Sequence, residues 1–153
     1  MYKIQKEDFP KVIALCNDVF KTSIPMEEAF PLLFNENNLQ SYVISCRDEI
    51  ISFVGLVPIQ YRHYIGASIG AVCTKKEFQG RGILGTFFPK IIQTLEDSLD
   101  FILISGAGRL YTKNGAVKFG DFYEHQLSPK NIESIEYSIF EGNLKDLASI
   151  KKI

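Results

Sequence analysis

The sequence contains no run close to the ~20 consecutive apolar residues that a membrane-spanning helix needs, and its first residues lack the apolar core of a signal peptide. Positive charge is not in excess either, since 17 Lys and Arg against 18 Asp and Glu give a formal net charge of −1. A near-neutral chain has no global field that would attract nucleic acid or an acidic membrane. We therefore expect a cytoplasmic protein whose partners are neither nucleic acids nor membranes.

Cysteine is scarce, and its pattern argues against a disulfide framework. The three cysteines, Cys16, Cys46 and Cys73, are odd in number, widely spaced and each placed in an apolar run. Such residues are typical of buried, reduced thiols, and they have neither the pairing of a secreted domain nor the spacing of a metal site. We expect no bound metal.

The length of 153 residues suits a single domain with a substantial core, and 46% hydrophobic with 23% charged residues is ordinary for a globular protein. A weak internal similarity links residues 2–12 with residues 137–147. It indicates either a further element or second domain that begins after about residue 131, or simply two similar strand–helix openings. We favour the second interpretation and expect one domain over residues 1–153.

The glycine-rich stretch 77–85 is the most informative part of the chain. It follows an apolar run, 67–74, that predicts a buried strand, and it precedes an amphipathic helical pattern over 86–99. The first N–H groups of a helix have no partner inside the helix, and glycines let a phosphate approach them closely. Arg81 adds a guanidinium suited to phosphate oxygens. The stretch therefore predicts an anion site, and the alternative is a solvent-exposed turn that merely collects Gly and Arg.

The remaining patterns predict an α/β (α+β) protein. A helical pattern follows Asp8, which can cap it, and a second, bent by Pro31, follows Met26. Gly55 and Pro58 interrupt a long apolar run and predict a bulge. Three antiparallel strands are predicted over 41–47, 50–61 and 64–74, and a strand parallel to the third of them is predicted over 101–105. A short helix over 110–115, two strands over 117–127 and 135–140, and a helix over 143–152 follow.

This element order, together with one motif, resembles the GNAT superfamily of N-acetyltransferases over nearly the whole chain. The family signature is Gln or Arg, two residues, Gly, one residue, then Gly or Ala, and Gln79-Gly80-Arg81-Gly82-Ile83-Leu84 departs from it only at Leu84. With the preceding run 69–74, this bulky residue resembles the branch that includes aminoglycoside-modifying enzymes. A dinucleotide-binding motif fits less well, because its glycine spacing differs. The resemblance implies a central mixed sheet, mostly antiparallel with one splayed parallel pair, and helices on both faces.

The resemblance also implies acetyl-coenzyme A as the cofactor and indicates which residues bind it. The backbone of the strand would pair with the pantetheine arm, and the glycine-rich turn would hold the diphosphate. The residues concerned are Val72, Cys73 and Thr74 for the arm, and Gln79, Gly80, Arg81, Gly82, Ile83, Leu84 and Gly85 for the diphosphate. Cys73 as a covalent nucleophile is the less favoured alternative, because no His lies near it in the sequence.

The segment Leu110-Tyr111-Thr112-Lys113-Asn114-Gly115 resembles the family's Leu-Tyr-x-x-x-Gly. The resemblance implies that Tyr111 is the general acid that protonates the departing thiolate; the alternative is that it packs the short helix on the sheet. Ile104 stands where the family often has Asn. No general base is evident among the candidates, which are Glu27, Glu28, His63, Asp121, Glu124 and His125.

The implied activity is direct transfer of an acetyl group, in a ternary complex, from acetyl-coenzyme A to an amine of a small molecule or peptide. The departures at Leu84 and Ile104 keep an alternative open: a non-catalytic module of the same fold that binds an acyl-coenzyme A or a partner. The sequence identifies neither the acceptor nor the oligomeric state, and a homodimer is one option.

Overall fold

The computed structural model describes residues 1–106 and 108–120, and residues Met1–Lys118 form one compact unit, to which the following description refers. Five strands lie in one sheet in the order of the chain: β1 Tyr2–Lys3, β2 Tyr42–Cys46, β3 Glu49–Tyr61, β4 Tyr64–Thr74 and β5 Phe101–Ile104. The α-helices are α1 Phe9–Phe20, α2 Met26–Ala29, α3 Ile83–Glu96 and α4 Arg109–Thr112. Single 3₁₀ turns occupy Lys6–Asp8 and Lys76–Phe78.

The pairing of the strands confirms the predicted mixed sheet. β1 to β4 pair antiparallel with their neighbours, whereas β4 and β5 are parallel. The parallel ladder is short, running from Gly66 opposite Phe101 to Ile69 opposite Ile104. β4 continues to Thr74 beyond it. Within the described residues, β5 therefore does not pair with the C-terminal part of β4. This separation is the splay that the sequence led us to expect.

A bulge bends β4 where it leaves β5. Phe53 lies opposite Cys73, and Gly55 lies opposite Gly70, so two residues of β4 face only one of β3. The first of the two, Ala71, has a left-handed φ of 51°. The bulge lies in β4, whereas Gly55 and Pro58 predicted a bulge or bend in β3. Gly55 instead permits a close approach, because a Cβ there would lie 2.6 Å from the carbonyl oxygen of Gly70.

Helices pack on both faces of the sheet, as predicted. On one face, α1 and α2 form a core cluster with the sheet around Phe9, Val12, Cys16, Met26, Val43, Phe53 and Cys73. On the other, Phe88, Ile91 and Leu95 of α3 pack on Val54, Leu56 and Ile69. Phe53 and Val54 belong to different clusters because successive side chains of a strand point to opposite faces. Both faces of the central strands are thus buried under helices.

Several boundaries differ from the predictions. α2 ends at Ala29, before Pro31, whose ring cannot continue a helix. Asp8 does precede α1, but its side chain makes no capping hydrogen bond to the first turn of that helix. Its carboxylate instead accepts a hydrogen bond from the N–H of Gln5. α3 spans Ile83–Glu96 instead of 86–99, so it begins inside the predicted turn.

Two burial predictions were wrong. Cys46 is exposed, because it is the last residue of β2 and the chain turns away at Arg47 and Asp48, which both have positive φ. The continuous apolar run 101–105 predicts a strand buried on both faces, yet Leu103 of β5 is 46% exposed. Of the predicted later elements, residues 117–120 are irregular, and the rest of 117–127, 135–140 and 143–152, as well as the boundary near 131, lie outside the described residues.

Candidate functional site

The start of α3 presents unpaired backbone to the surface. Gly82 precedes the helix with a left-handed φ of 74°, and Gly80 has the same φ. A Cβ built at Gly80, Gly82 or Gly85 would meet no atom within 4 Å. The N–H groups of Ile83 and its successors in the first turn have no acceptor within the helix, and they lie at the positive end of a 14-residue dipole. This surface can accept an anion at close range.

A cavity of about 360 Å³ lies against this helix start, the end of β4 and one residue of α1. Nine of the ten residues predicted to bind the cofactor line it: Val72, Cys73, Thr74, Gln79, Gly80, Gly82, Ile83, Leu84 and Gly85. The sequence had not singled out the other two lining residues, Val19 and Phe78. Val19 is an ordinary core position of an amphipathic helix, and only the tertiary structure brings it here.

Leu84, the departure from the family motif, packs part of its side chain against the core cluster beneath α3. Its bulk is thus partly absorbed by the protein interior. The residue still contributes a backbone N–H to the first turn of the helix, because every residue other than proline does so. The presence of Leu84 instead of Gly or Ala therefore leaves the backbone N–H group at this position available to an anion.

Arg81 is the tenth predicted residue, and it does not line the cavity. Its guanidinium carbon lies 5.2 Å from the ring centroid of Phe78, which does line it, so the cation is held beside the cavity in a cation–π contact. Lys75, another cation near the turn, donates a hydrogen bond to Glu49, and this bond raises the pKa of Lys75. Arg81 is consequently the better placed of these two cations to meet an anion.

Hydrogen bonds fix the backbone at the end of β4. Gln79 donates from Nε2 to the carbonyl of Thr74 at 2.9 Å. Ser52, fully buried on β3, donates from Oγ to the carbonyl of Cys73 at 2.6 Å and lies 2.9 Å from Oγ1 of Thr74. Because Ser52 has one proton and uses it on Cys73, the hydroxyl of Thr74 must donate to Ser52. A serine in the otherwise apolar run of β3 was the signal that could have identified this residue.

Cys73 lies in the wall of the cavity beside a second thiol. Its Sγ is 3.8 Å from the Sγ of Cys16 on α1, and both residues are buried. The hydrogen bond with Cys73, together with burial, raises the pKa of Cys16 well above that of a free thiol. His63 lies in the hairpin between β3 and β4, where its ring contacts Tyr64 at a centroid distance of 4.0 Å. The structure provides no histidine contact for Cys73 within the described residues.

Tyr111, the predicted general acid, lies on α4 and is half-buried. Its ring meets Phe88 of α3 edge-on at a centroid distance of 5.5 Å, so it does pack the two helices together. A Cβ on Gly106 would come within 3.1 Å of the ring. Burial raises the pKa of the Tyr111 hydroxyl, which is therefore protonated at neutral pH. Tyr111 is not among the residues that line the cavity.

Among the candidate bases, Glu27 accepts a hydrogen bond from Nδ2 of Asn17 at 3.0 Å. Asp121, Glu124 and His125 lie outside the described residues. Residues 1–106 and 108–120 contain no group of three or more His, Cys, Asp or Glu side chains that could hold a metal. None of the helices in the same ranges is long and apolar enough to cross a membrane.

No protein-family model matches the chain, and no curated protein matches its sequence. Solved structures do match its fold. One is a predicted acetyltransferase from Clostridium acetobutylicum, solved with acetyl-CoA, at 16% identity and a TM-score of 0.66, covering 82% of this chain and 94% of that one. Another is a GCN5-related N-acetyltransferase from Ralstonia eutropha, at 13% identity and a TM-score of 0.65, with 80% and 95% covered. A third is a transcriptional regulator from Bacillus halodurans, at 16% identity and a TM-score of 0.62, with 82% and 97% covered. The chain therefore has the fold of the GCN5-related N-acetyltransferases.

Proposed function

We propose that this chain is an N-acetyltransferase that moves an acetyl group from acetyl-coenzyme A to an amine of a small molecule or peptide. The observation that carries the proposal is the cavity beside α3, in which the free N–H groups of a helix start meet an open glycine backbone. Its fold neighbour from C. acetobutylicum was solved with acetyl-CoA, which supports the choice of cofactor. A fold alone does not establish an activity, so the proposal depends on this cavity.

The diphosphate would lie at the first turn of α3, where the N–H groups of Ile83, Leu84 and Gly85 and the helix dipole favour negative charge. Arg81 beside the cavity would add a charge-assisted hydrogen bond. The pantetheine arm would follow Val72–Thr74 as an added strand. That part of β4 extends beyond the β5 ladder, and its backbone on the other side is tied to β3 through Ser52.

In the transfer step, the neutral amine attacks the thioester carbonyl, and the negative oxygen of the tetrahedral intermediate accepts a hydrogen bond from a β4 backbone N–H. The nitrogen loses its extra proton to water. When the carbon–sulfur bond breaks, the sulfur needs a proton. We assign that proton to the hydroxyl of Tyr111, whose raised pKa keeps it protonated at neutral pH. Its position on α4, packed on Phe88, gives it a rigid support.

Titration calorimetry with acetyl-coenzyme A tests the proposal, and absence of binding at millimolar ligand would refute it. Release of free coenzyme A with a panel of amines, including aminoglycosides, polyamines and peptide amines, then tests transfer. The second candidate is a non-catalytic module that binds an acyl-coenzyme A. It is favoured by one solved structure of the same fold, which is a transcriptional regulator. Binding of the cofactor without thiol release across the panel would favour that module.

A further inference from the structure

The thiols of Cys16 and Cys73 form a pair that the proposed transfer chemistry does not use. Their Sγ atoms are 3.8 Å apart, although the residues are 57 positions apart in the chain and lie on α1 and β4. A disulfide bond is about 2.05 Å long, so the sulfurs must approach by roughly 1.8 Å. Closing this gap requires a movement of the two side chains or of α1 relative to β4.

The two thiols differ in access. Cys73 lines the cavity, whereas Cys16 is fully buried behind it in the core cluster between α1 and the sheet. A small reagent that enters the cavity therefore meets Cys73 first. The third thiol, Cys46, is exposed at the end of β2 and is not part of the pair.

We propose that Cys16 and Cys73 are a redox-modification site, which a low-molecular-weight disulfide converts into an intramolecular disulfide in the wall of the cavity. The thiolate of Cys73 attacks one sulfur of the reagent, whose S–S bond breaks, and one thiol leaves with a proton. Cys16 then loses its proton to water, attacks Sγ of Cys73 and releases the second thiol. Two protein thiols are oxidised, and the reagent is reduced to two thiols, so electrons balance.

Oxidation would join two walls of the same cavity. Val19, which also lines the cavity, follows Cys16 by three positions on α1 and so lies on the same face of that helix. A Cys16–Cys73 bond would tie this face of α1 to the end of β4.

The test counts free thiols in the full chain after treatment with bis(2-hydroxyethyl) disulfide at about pH 8.5, because thiol–disulfide exchange proceeds through a thiolate. The protein is then denatured, alkylated and weighed by mass spectrometry. The wild type should fall from three alkylated cysteines to none: the exposed Cys46 retains half of the reagent as a mixed disulfide, and proteolysis should yield a peptide pair that joins Cys16 to Cys73. The change should reverse with dithiothreitol. Alkylation of both Cys16 and Cys73 after treatment, separate mixed disulfides on these two residues, or a link through Cys46 would overturn the proposal.

Two variants sharpen the result. In Cys46→Ser the count should fall from two to none, because the pair is intact. In Cys16→Ser the reaction should stop at a mixed disulfide on Cys73, since the second thiol is absent. The wild-type and Cys46→Ser measurements suffice if Cys16→Ser does not fold. In Cys73→Ser no intramolecular bond should form, and a bond between Cys16 and Cys46 in that variant would also contradict the assignment.

Saturating acetyl-coenzyme A should slow the cross-link at least tenfold, because the proposed pantetheine path covers Cys73; this part alone rests on the proposed function. A cross-link that forms at the same rate with and without the cofactor would support the thiol pair and count against the cofactor's placement. The two proposals can therefore fail separately.

Discussion

Replacing Gly85 by alanine should strengthen the fold and weaken cofactor binding. Gly85 is the third residue of α3 and lies in the wall of the cavity. Its φ is not in the left-handed region, and a Cβ there would meet no protein atom within 4 Å. The new methyl group therefore causes no clash in the protein and projects into open space at the helix start.

The two effects have opposite signs and can be estimated separately. Glycine inside a helix is less stable than alanine by about 0.5–1 kcal/mol, so Gly85→Ala should raise Tm by roughly 1–4 °C for a domain of this size. If the methyl group displaces the diphosphate from one charged hydrogen bond, the loss is about 1.5–3 kcal/mol. That loss corresponds to a Kd about 10- to 100-fold weaker. Gly85→Leu should abolish measurable binding while the protein stays folded.

Thermal unfolding and titration calorimetry with acetyl-coenzyme A measure both quantities on the same protein. Gly82→Ala is the matched control, because Gly82 lines the same cavity but has a φ of 74°, where alanine costs about 1–2 kcal/mol. It should lower Tm while Gly85→Ala raises it. If Gly85→Leu binds the cofactor as tightly as the wild type, the helix start is not the diphosphate site and the reasoning is wrong.

Three further substitutions test other parts of the site. Tyr111→Phe should lower kcat at least tenfold and leave the cofactor Kd within twofold, because only the proton donor is lost; an unchanged kcat would remove its assigned role. Ser52→Ala should destabilise the protein by about 1–3 kcal/mol in denaturant unfolding, since it leaves the buried hydroxyl of Thr74 and a backbone carbonyl without their partner. Arg81→Ala should weaken cofactor binding about three- to tenfold, reduce the salt dependence of the Kd and leave the free energy of unfolding within about 0.5 kcal/mol of the wild-type value. If the Kd of each protein is the same at low and high salt, an ionic role of Arg81 is excluded.

Periodicity predicted most of the strands and helices, and the family resemblance implied their arrangement. The alternation and apolar runs over 41–74, with turn residues between them, specified the three antiparallel strands, and β3 and β4 lie within a residue of the predicted limits. The boundary of α2 was missed because the apolar pattern around Leu33 and Phe34 continued past Pro31. These side chains are buried in a core cluster even though their backbone is not helical. Burial and helical spacing are separate properties, and the sequence pattern does not distinguish them.

The exposure of Cys46 shows a different limit. Cys46 alternates with the apolar Tyr42 and Ile44, so the local pattern indicated burial, yet the strand ends at Cys46 and its side chain is exposed. Which residues of a sheet are covered depends on the length and placement of elements distant in sequence. The same limit applies to Leu103 of β5.

For the site, the sequence by itself determined the glycine-rich turn and the strand before it, because left-handed backbone and free helix N–H groups follow from residue types and their order. The glycines at 80 and 82 adopt the φ that only glycine adopts readily. Tertiary structure alone decided what surrounds them. It placed Val19 and Phe78 in the cavity wall, paired Lys75 with Glu49 and tied the end of β4 to Ser52. It also brought the thiol of Cys16 to that of Cys73, since contacts between distant segments arise only when the helices pack on the sheet.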